Sequence, residues 1–137
     1  MPESIIELRR AALVNTLRGC QLFSGLPLPD LESVAGITVT KSLAKGDYLF
    51  HEGQASEGFY IVQRGAINVH RVNAVGKEQV IHVFRSGESF AEASVASSGG
   101  YPADARALEP TQVLLVGRAG FLTLVGRQPE LALRMLS

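Results

Sequence analysis

The chain has a single cysteine, no net charge and no long apolar run. Cys20 alone cannot form an internal disulfide, and its lack of a partner fits a reducing compartment. Thirteen Lys and Arg balance thirteen Asp and Glu, so no basic surplus exists to hold a phosphate backbone or an anionic membrane surface. No apolar stretch approaches the roughly 20 residues of a membrane span. The opening Met-Pro-Glu-Ser-Ile-Ile-Glu-Leu-Arg-Arg sets acids and arginines where a secretory signal needs an uninterrupted apolar segment. These absences describe a cytoplasmic domain with no membrane partner.

What is present is an ordinary globular core. The 137 residues are 46% hydrophobic, enough for one domain that buries roughly two-thirds of its unfolded surface. Ser4 and Glu7 have the spacing of a capping box. Ile5, Ile6, Leu8, Ala12, Leu13 and Leu17 then recur at helical spacing, and Gly19 is the expected stop. A second short helix follows Leu-Pro-Leu-Pro-Asp, with Leu31 and Val34 turned inward. After Gly36 come β-rich runs at 37–43, 48–51, 59–63, 66–72, 79–84, 103–108 and 112–116, divided by turns at Gly46, Gly53, Gly65, Gly76 and Gly87. Such even spacing predicts a sandwich, barrel or jelly roll. Residues 118–125 and 130–137 read as helices again. The layout is one domain: helices over 1–36, a β-roll over 37–117 and helices over 118–137.

Residues 87–107, Gly-Glu-Ser-Phe-Ala-Glu-Ala-Ser-Val-Ala-Ser-Ser-Gly-Gly-Tyr-Pro-Ala-Asp-Ala-Arg-Ala, have a distinct character. A turn leads into one helical turn of small residues, then a Ser-Ser-Gly-Gly loop and a strand with apolar residues at alternate positions. Free backbone N–H groups beside an acid suit a phosphodiester and a ribose hydroxyl. The segment resembles the phosphate-binding cassette of cyclic-nucleotide-binding domains, in the form found in CRP/FNR-type bacterial regulators. Leu-Phe-Ser-Gly-Leu-Pro at 22–27, Lys-Gly-Asp-Tyr-Leu-Phe-His-Glu-Gly-Gln at 45–54 and Gly-Phe-Tyr-Ile-Val-Gln-Arg-Gly-Ala-Ile-Asn-Val at 58–69 extend the likeness in the expected order. The fold this implies is mainly β with flanking helices: the double-stranded β-helix, or jelly roll, of that family.

The resemblance implies a set of ligand-binding positions. The family's opening glycine and glutamate fall on Ala91 and Glu92, with the backbone around Ala91 and Ala93 available to an anion. Its phosphate-holding arginine and serine or threonine fall on Ala103 and Asp104. A charge-assisted bond to a buried phosphate is worth about 1.5–3 kcal/mol, so its loss costs roughly ten- to a hundredfold in affinity. Arg106 shares a strand face with Asp104. It can neutralise Asp104 or replace the missing arginine, and the surface pair is the expectation. Tight cyclic AMP or cyclic GMP binding is disfavoured, and the pattern looks like the FNR and DNR branches.

Other effectors leave fewer traces. An iron–sulphur sensor needs several cysteines, which this chain lacks. For a haem-based gas sensor His82, on the strand entering the cassette, is the best placed axial candidate. A partly exposed strand histidine outweighs that role for His82 and for His70. A metal-dependent cupin enzyme needs clustered histidines, whereas His51, His70 and His82 are isolated; P-loop, zinc-ligand and Ser/His/Asp patterns are missing too. The chain reads as no enzyme. Gln-Pro-Glu-Leu-Ala-Leu-Arg-Met-Leu-Ser at 128–137 resembles the start of the family's dimerisation helix. The resemblance implies a small-molecule effector, a homodimer through that helix in the parent protein, and DNA contact only through a domain absent here. Leu131, Leu133, Met135 and Leu136 are expected to be partly exposed.

Overall fold

The apolar residues of the strands divide between two faces, and that division sets the architecture. The computed structural model describes residues 2–136. Helices α1 (Pro2–Arg18) and α2 (Leu28–Ala35), with a 3₁₀ turn at Gln21–Phe23 between them, precede the strands. These are β1 (Thr38–Leu43), β2 (Tyr48–Phe50), β3 (Gly58–Arg64), β4 (Ala66–Val72), β5 (Glu78–Arg85), β6 (Ser89–Phe90), β7 (Asp104–Ala107) and β8 (Thr111–Gly117). A second 3₁₀ turn, Glu92–Val95, follows β6, and α3 (Arg118–Arg127) and α4 (Pro129–Leu136) follow β8.

The strands form two antiparallel sheets, ordered β1-β8-β3-β6 and β2-β7-β4-β5. This is the jelly roll read from the sequence. Strands β3 and β8 are apolar at successive positions because their sheet lies between two cores. Tyr60, Val62, Val113 and Leu115 pack toward the second sheet with Phe50, Ile67 and Phe90. Phe59, Ile61, Leu114 and Val116 pack toward the helices with Leu17, Phe23, Leu31 and Val34. Each such side chain contributes about 1.5–3 kcal/mol by burial. Gly65, at φ +98°, makes the β3–β4 turn, where a Cβ would sit 2.7 Å from the Thr111 Cα.

Three expectations change. Ser4 and Glu7 lie inside α1, which begins at Pro2, so they do not cap it. Ile5, Ile6 and Leu8 are exposed, and among the described residues of α1 only Val14 and Leu17 are buried in the core. The lengths explain this: α1 has 17 residues and α2 has 8, about 26 Å against about 12 Å at 1.5 Å per residue. Leu131 is fully buried, while Leu133 is exposed. The side chain of Leu136 and all of Ser137 lie outside the described residues. Helix α4 is held by Arg134, whose Nε donates to Asp30 Oδ2 of α2 at 2.8 Å. No described helix is long and apolar enough to cross a membrane.

Candidate functional site

Strand β6 enters the cassette through the pair Tyr60↔Phe90. Ala91 follows at φ 67°, ψ 21°, the one non-glycine residue with positive φ among the described residues. An L-residue there costs about 1–2 kcal/mol, and it is the position to which the sequence resemblance assigns the family's glycine. The 3₁₀ turn is then pinned by Ser94, buried, whose hydroxyl donates to the Ala91 carbonyl at 2.7 Å and lies 2.8 Å from the Ser56 hydroxyl. At its far end the carbonyl of Val95 accepts from Arg118 Nε at 2.9 Å. The backbone N–H of Arg118 also donates to the Glu57 carbonyl at 2.8 Å. One residue at the start of α3 therefore holds both the cassette and the loop before β3.

The loop returns at Tyr101, which the sequence reading did not single out. Its ring is buried and stacks on Phe50 at 3.8 Å. Its hydroxyl donates to the Gly58 carbonyl at 2.9 Å and accepts from the Glu57 N–H at 3.0 Å. Phe50, Tyr60, Phe90 and Phe84 continue the aromatic packing at centroid distances of 5.7, 5.5 and 5.0 Å. Burial first, then the Tyr101 hydroxyl and the charge of Glu57, push the Tyr60 phenol far above the ordinary tyrosine range. The space between the sheets beside the cassette is thus filled by rings. No Lys or Arg is buried among the described residues; the guanidinium groups of Arg71 and Arg118 bond the Pro102 and Val95 carbonyls of the cassette.

Alternation along β7 decides where the remaining candidates point. Ala103, Ala105 and Ala107 are buried, and Asp104 and Arg106 occupy the outer face. Asp104 Oδ1 accepts from the Glu52 N–H at 2.6 Å, and Oδ2 lies 3.8 Å from His70 Nε2. Arg106 pairs with Glu78 at 2.9 Å and donates to the Tyr48 hydroxyl at 3.3 Å. The expected Asp104–Arg106 pair is not formed, because Glu78 on β5 and the Glu52 backbone are nearer partners.

Glu92 and Ala93 are exposed, and Ala91 packs against the inter-sheet core. Glu92 is among the residues lining a pocket of about 240 Å³ on the helix side, with Leu22, Phe59, Phe121, Ala132 and Met135. Burial raises the Cys20 thiol pKa against hydrogen bonds from Leu22, Phe23 and Ser89, and the charge of Glu92 adds to the rise. His82 is exposed on β5, 3.8 Å from Glu88 and beside Phe84 at 4.4 Å. His70 is fully buried, unlike the partly exposed strand histidine expected. Its Nδ1 lies 3.3 Å from the Asn68 carbonyl. His51 stacks on Tyr48 at 4.5 Å. No group of three metal-binding side chains is gathered among the described residues.

The pattern of the cyclic nucleotide-binding domain matches residues 40–128, more than half of the chain. The chain belongs to the cyclic nucleotide-binding domain family. The cyclic AMP receptor protein of Thermus thermophilus is 28% identical over 116 residues, covering 85% of this chain and 54% of that protein. The human cGMP-dependent protein kinase 2 is 29% identical over 119 residues, 85% of this chain and 16% of the kinase. The sensor domain of the transcriptional regulator DNR from Pseudomonas aeruginosa superposes with a TM-score of 0.82 at 26% identity, covering 93% of this chain and 85% of that one. The chain spans about half the length of the Thermus receptor it matches. Its relatives include the cyclic AMP receptor protein and the DNR regulator, and it is a cyclic nucleotide-binding domain related to theirs.

Proposed function

We propose that this domain is the non-catalytic effector-sensing module of a CRP/FNR-type transcriptional regulator, and that cyclic AMP is not its tight ligand. One observation carries the reading: Tyr101, packed on Phe50 and bonded to Gly58, occupies the inter-sheet space beside the cassette. A phosphodiester entering there would displace a buried ring and meet no buried cation. Arg106 does not replace one, since it pairs with Glu78 on the outer face.

Sensing works in this reading as a population shift: an effector at the cassette changes the balance between two placements of the C-terminal helices. Arg118 joins the cassette to α3, and Arg134 joins α4 to α2, so the path from site to helices is short. Homodimerisation through the C-terminal helix and DNA contact through the remainder of a longer protein belong to the same proposal. The test is calorimetry with cyclic AMP and cyclic GMP. The expected result is no binding in the micromolar range; micromolar or tighter binding by the unmodified chain overturns the reading.

A further inference from the structure

The pocket beside Glu92 has an unusual composition for a family whose ligand is an anion. Its walls are Leu22 from the first 3₁₀ turn, Phe59 from β3, Phe121 from α3, and Ala132 and Met135 from α4. Phe59 and Phe121 meet edge to face at 5.2 Å, which fixes one wall. Phe59 belongs to the helix-facing core, whereas Tyr101 belongs to the inter-sheet core. The pocket is therefore separate from the ring-filled space between the sheets. Its one charged group is the Glu92 carboxylate.

Three carboxylates near the strands and helices have Lys or Arg partners: Glu57 has Lys41, Glu78 has Arg106 and Asp30 has Arg134. The Glu92 carboxylate makes no ion pair or hydrogen bond among the described residues. A lone carboxylate at the rim of an apolar pocket repels phosphate and attracts a cation. The aromatic walls act in the same direction, because ring faces also attract cations. The volume of about 240 Å³ lies below the roughly 300–1,000 Å³ of drug-sized sites, so the body that fits is a single ring or a short chain.

We propose that this pocket is a ligand site for a small apolar amine, whose hydrocarbon part lies against Phe59, Phe121 and Met135 and whose ammonium is held by Glu92. The inference rests on the effector-sensing reading and supplies the ligand class for it. Such a ligand would touch the 3₁₀ turn of the cassette and α4 together, so occupancy would hold α4 against the roll.

The experiment uses benzylamine, with benzyl alcohol and benzoate as neutral and anionic matches, titrated into methyl-labelled protein and followed by NMR. Benzylamine should shift the Leu22 and Met135 methyl signals saturably, and should bind about tenfold more tightly than the alcohol, as one charge-assisted hydrogen bond implies. Benzoate should give no saturable shift. Glu92→Gln, at an exposed position, should remove the advantage of the amine and leave the alcohol unchanged. Equal binding of amine and alcohol, shifts confined to the inter-sheet side chains, or no binding at millimolar benzylamine each overturn the inference. Cyclic AMP titrated in parallel separates the two readings. Tight nucleotide binding defeats the proposed function, whereas missing amine binding with no nucleotide binding defeats this inference alone.

Discussion

The backbone N–H of Glu52 donates to Asp104 Oδ1 at 2.6 Å, tying the start of β7 to the turn after β2. That bond gives the carboxylate a structural reason to stand at a position that the sequence resemblance assigns to a phosphate-binding hydroxyl. On the proposed reading Asp104 stays out of the ligand's path and faces outward on β7.

Asp104→Ala should therefore lower stability by about 1 kcal/mol, the net worth of one hydrogen bond, because water replaces the carboxylate at the exposed Glu52 N–H. Urea unfolding of the two proteins measures it. An unchanged midpoint together with a gain in cyclic AMP affinity would place Asp104 in the ligand path after all.

Tyr101 separates hydroxyl from ring. Tyr101→Phe keeps the stack on Phe50 and loses the bonds to Gly58 and Glu57, a loss of about 1–2 kcal/mol. Tyr101→Ala removes the ring as well and should cost about 3–5 kcal/mol. Thermal unfolding should rank them in that order. Equal losses would mean that the ring contributes nothing to the inter-sheet core.

At Ala91 a substitution should stabilise. Ala91→Gly relieves the left-handed backbone at φ 67°, worth about 1–2 kcal/mol, against about 0.5–1 kcal/mol of added chain entropy in the unfolded state. The net gain should be about 0.5–1 kcal/mol by urea unfolding. A loss of stability would show that the Ala91 methyl packs more usefully than its position implies.

The alkaline limb of stability should carry the signature of Tyr60. Its phenol pKa is raised in the folded state, so the unfolded chain releases a proton near pH 10 while the folded one retains it. The stabilisation is complete below about pH 10 and falls above it by about 1.4 kcal/mol per pH unit. Tyr60→Phe should flatten that fall relative to the unmodified protein; parallel slopes would refute the assignment. Cys20, also raised by burial, should react with a disulfide reagent far more slowly in folded protein than in urea.

The strands were legible because glycine turns and alternating apolar residues are local signals. The helix at the N-terminus was legible as a helix but not in its burial. Ile5, Ile6 and Leu8 look like a core face, and only the short reach of α2 leaves them exposed. In the site, pattern matching drew attention to Ala103 and Asp104 and passed over Tyr101. The alternation Ala103, Ala105, Ala107 against Asp104, Arg106 was readable in the chain and does separate the two faces. Which face turns inward depends on pairing with β2 and β4, strands remote in sequence. The left-handed backbone at Ala91, which sets the start of the 3₁₀ turn carrying Glu92, is not revealed by composition.

On the effector-sensing reading proposed above, Arg118 has a consequence for how a signal would leave the domain. Its side chain holds the Val95 carbonyl and its own N–H holds the Glu57 carbonyl, so it spans the seam between cassette and β3 at the first residue of α3. Widening that seam by about an ångström would carry one of these bonds past hydrogen-bonding distance. The entry to α3 would then have two settings, both bonds made or one broken. A graded displacement at the cassette would reach the C-terminal helices as a step.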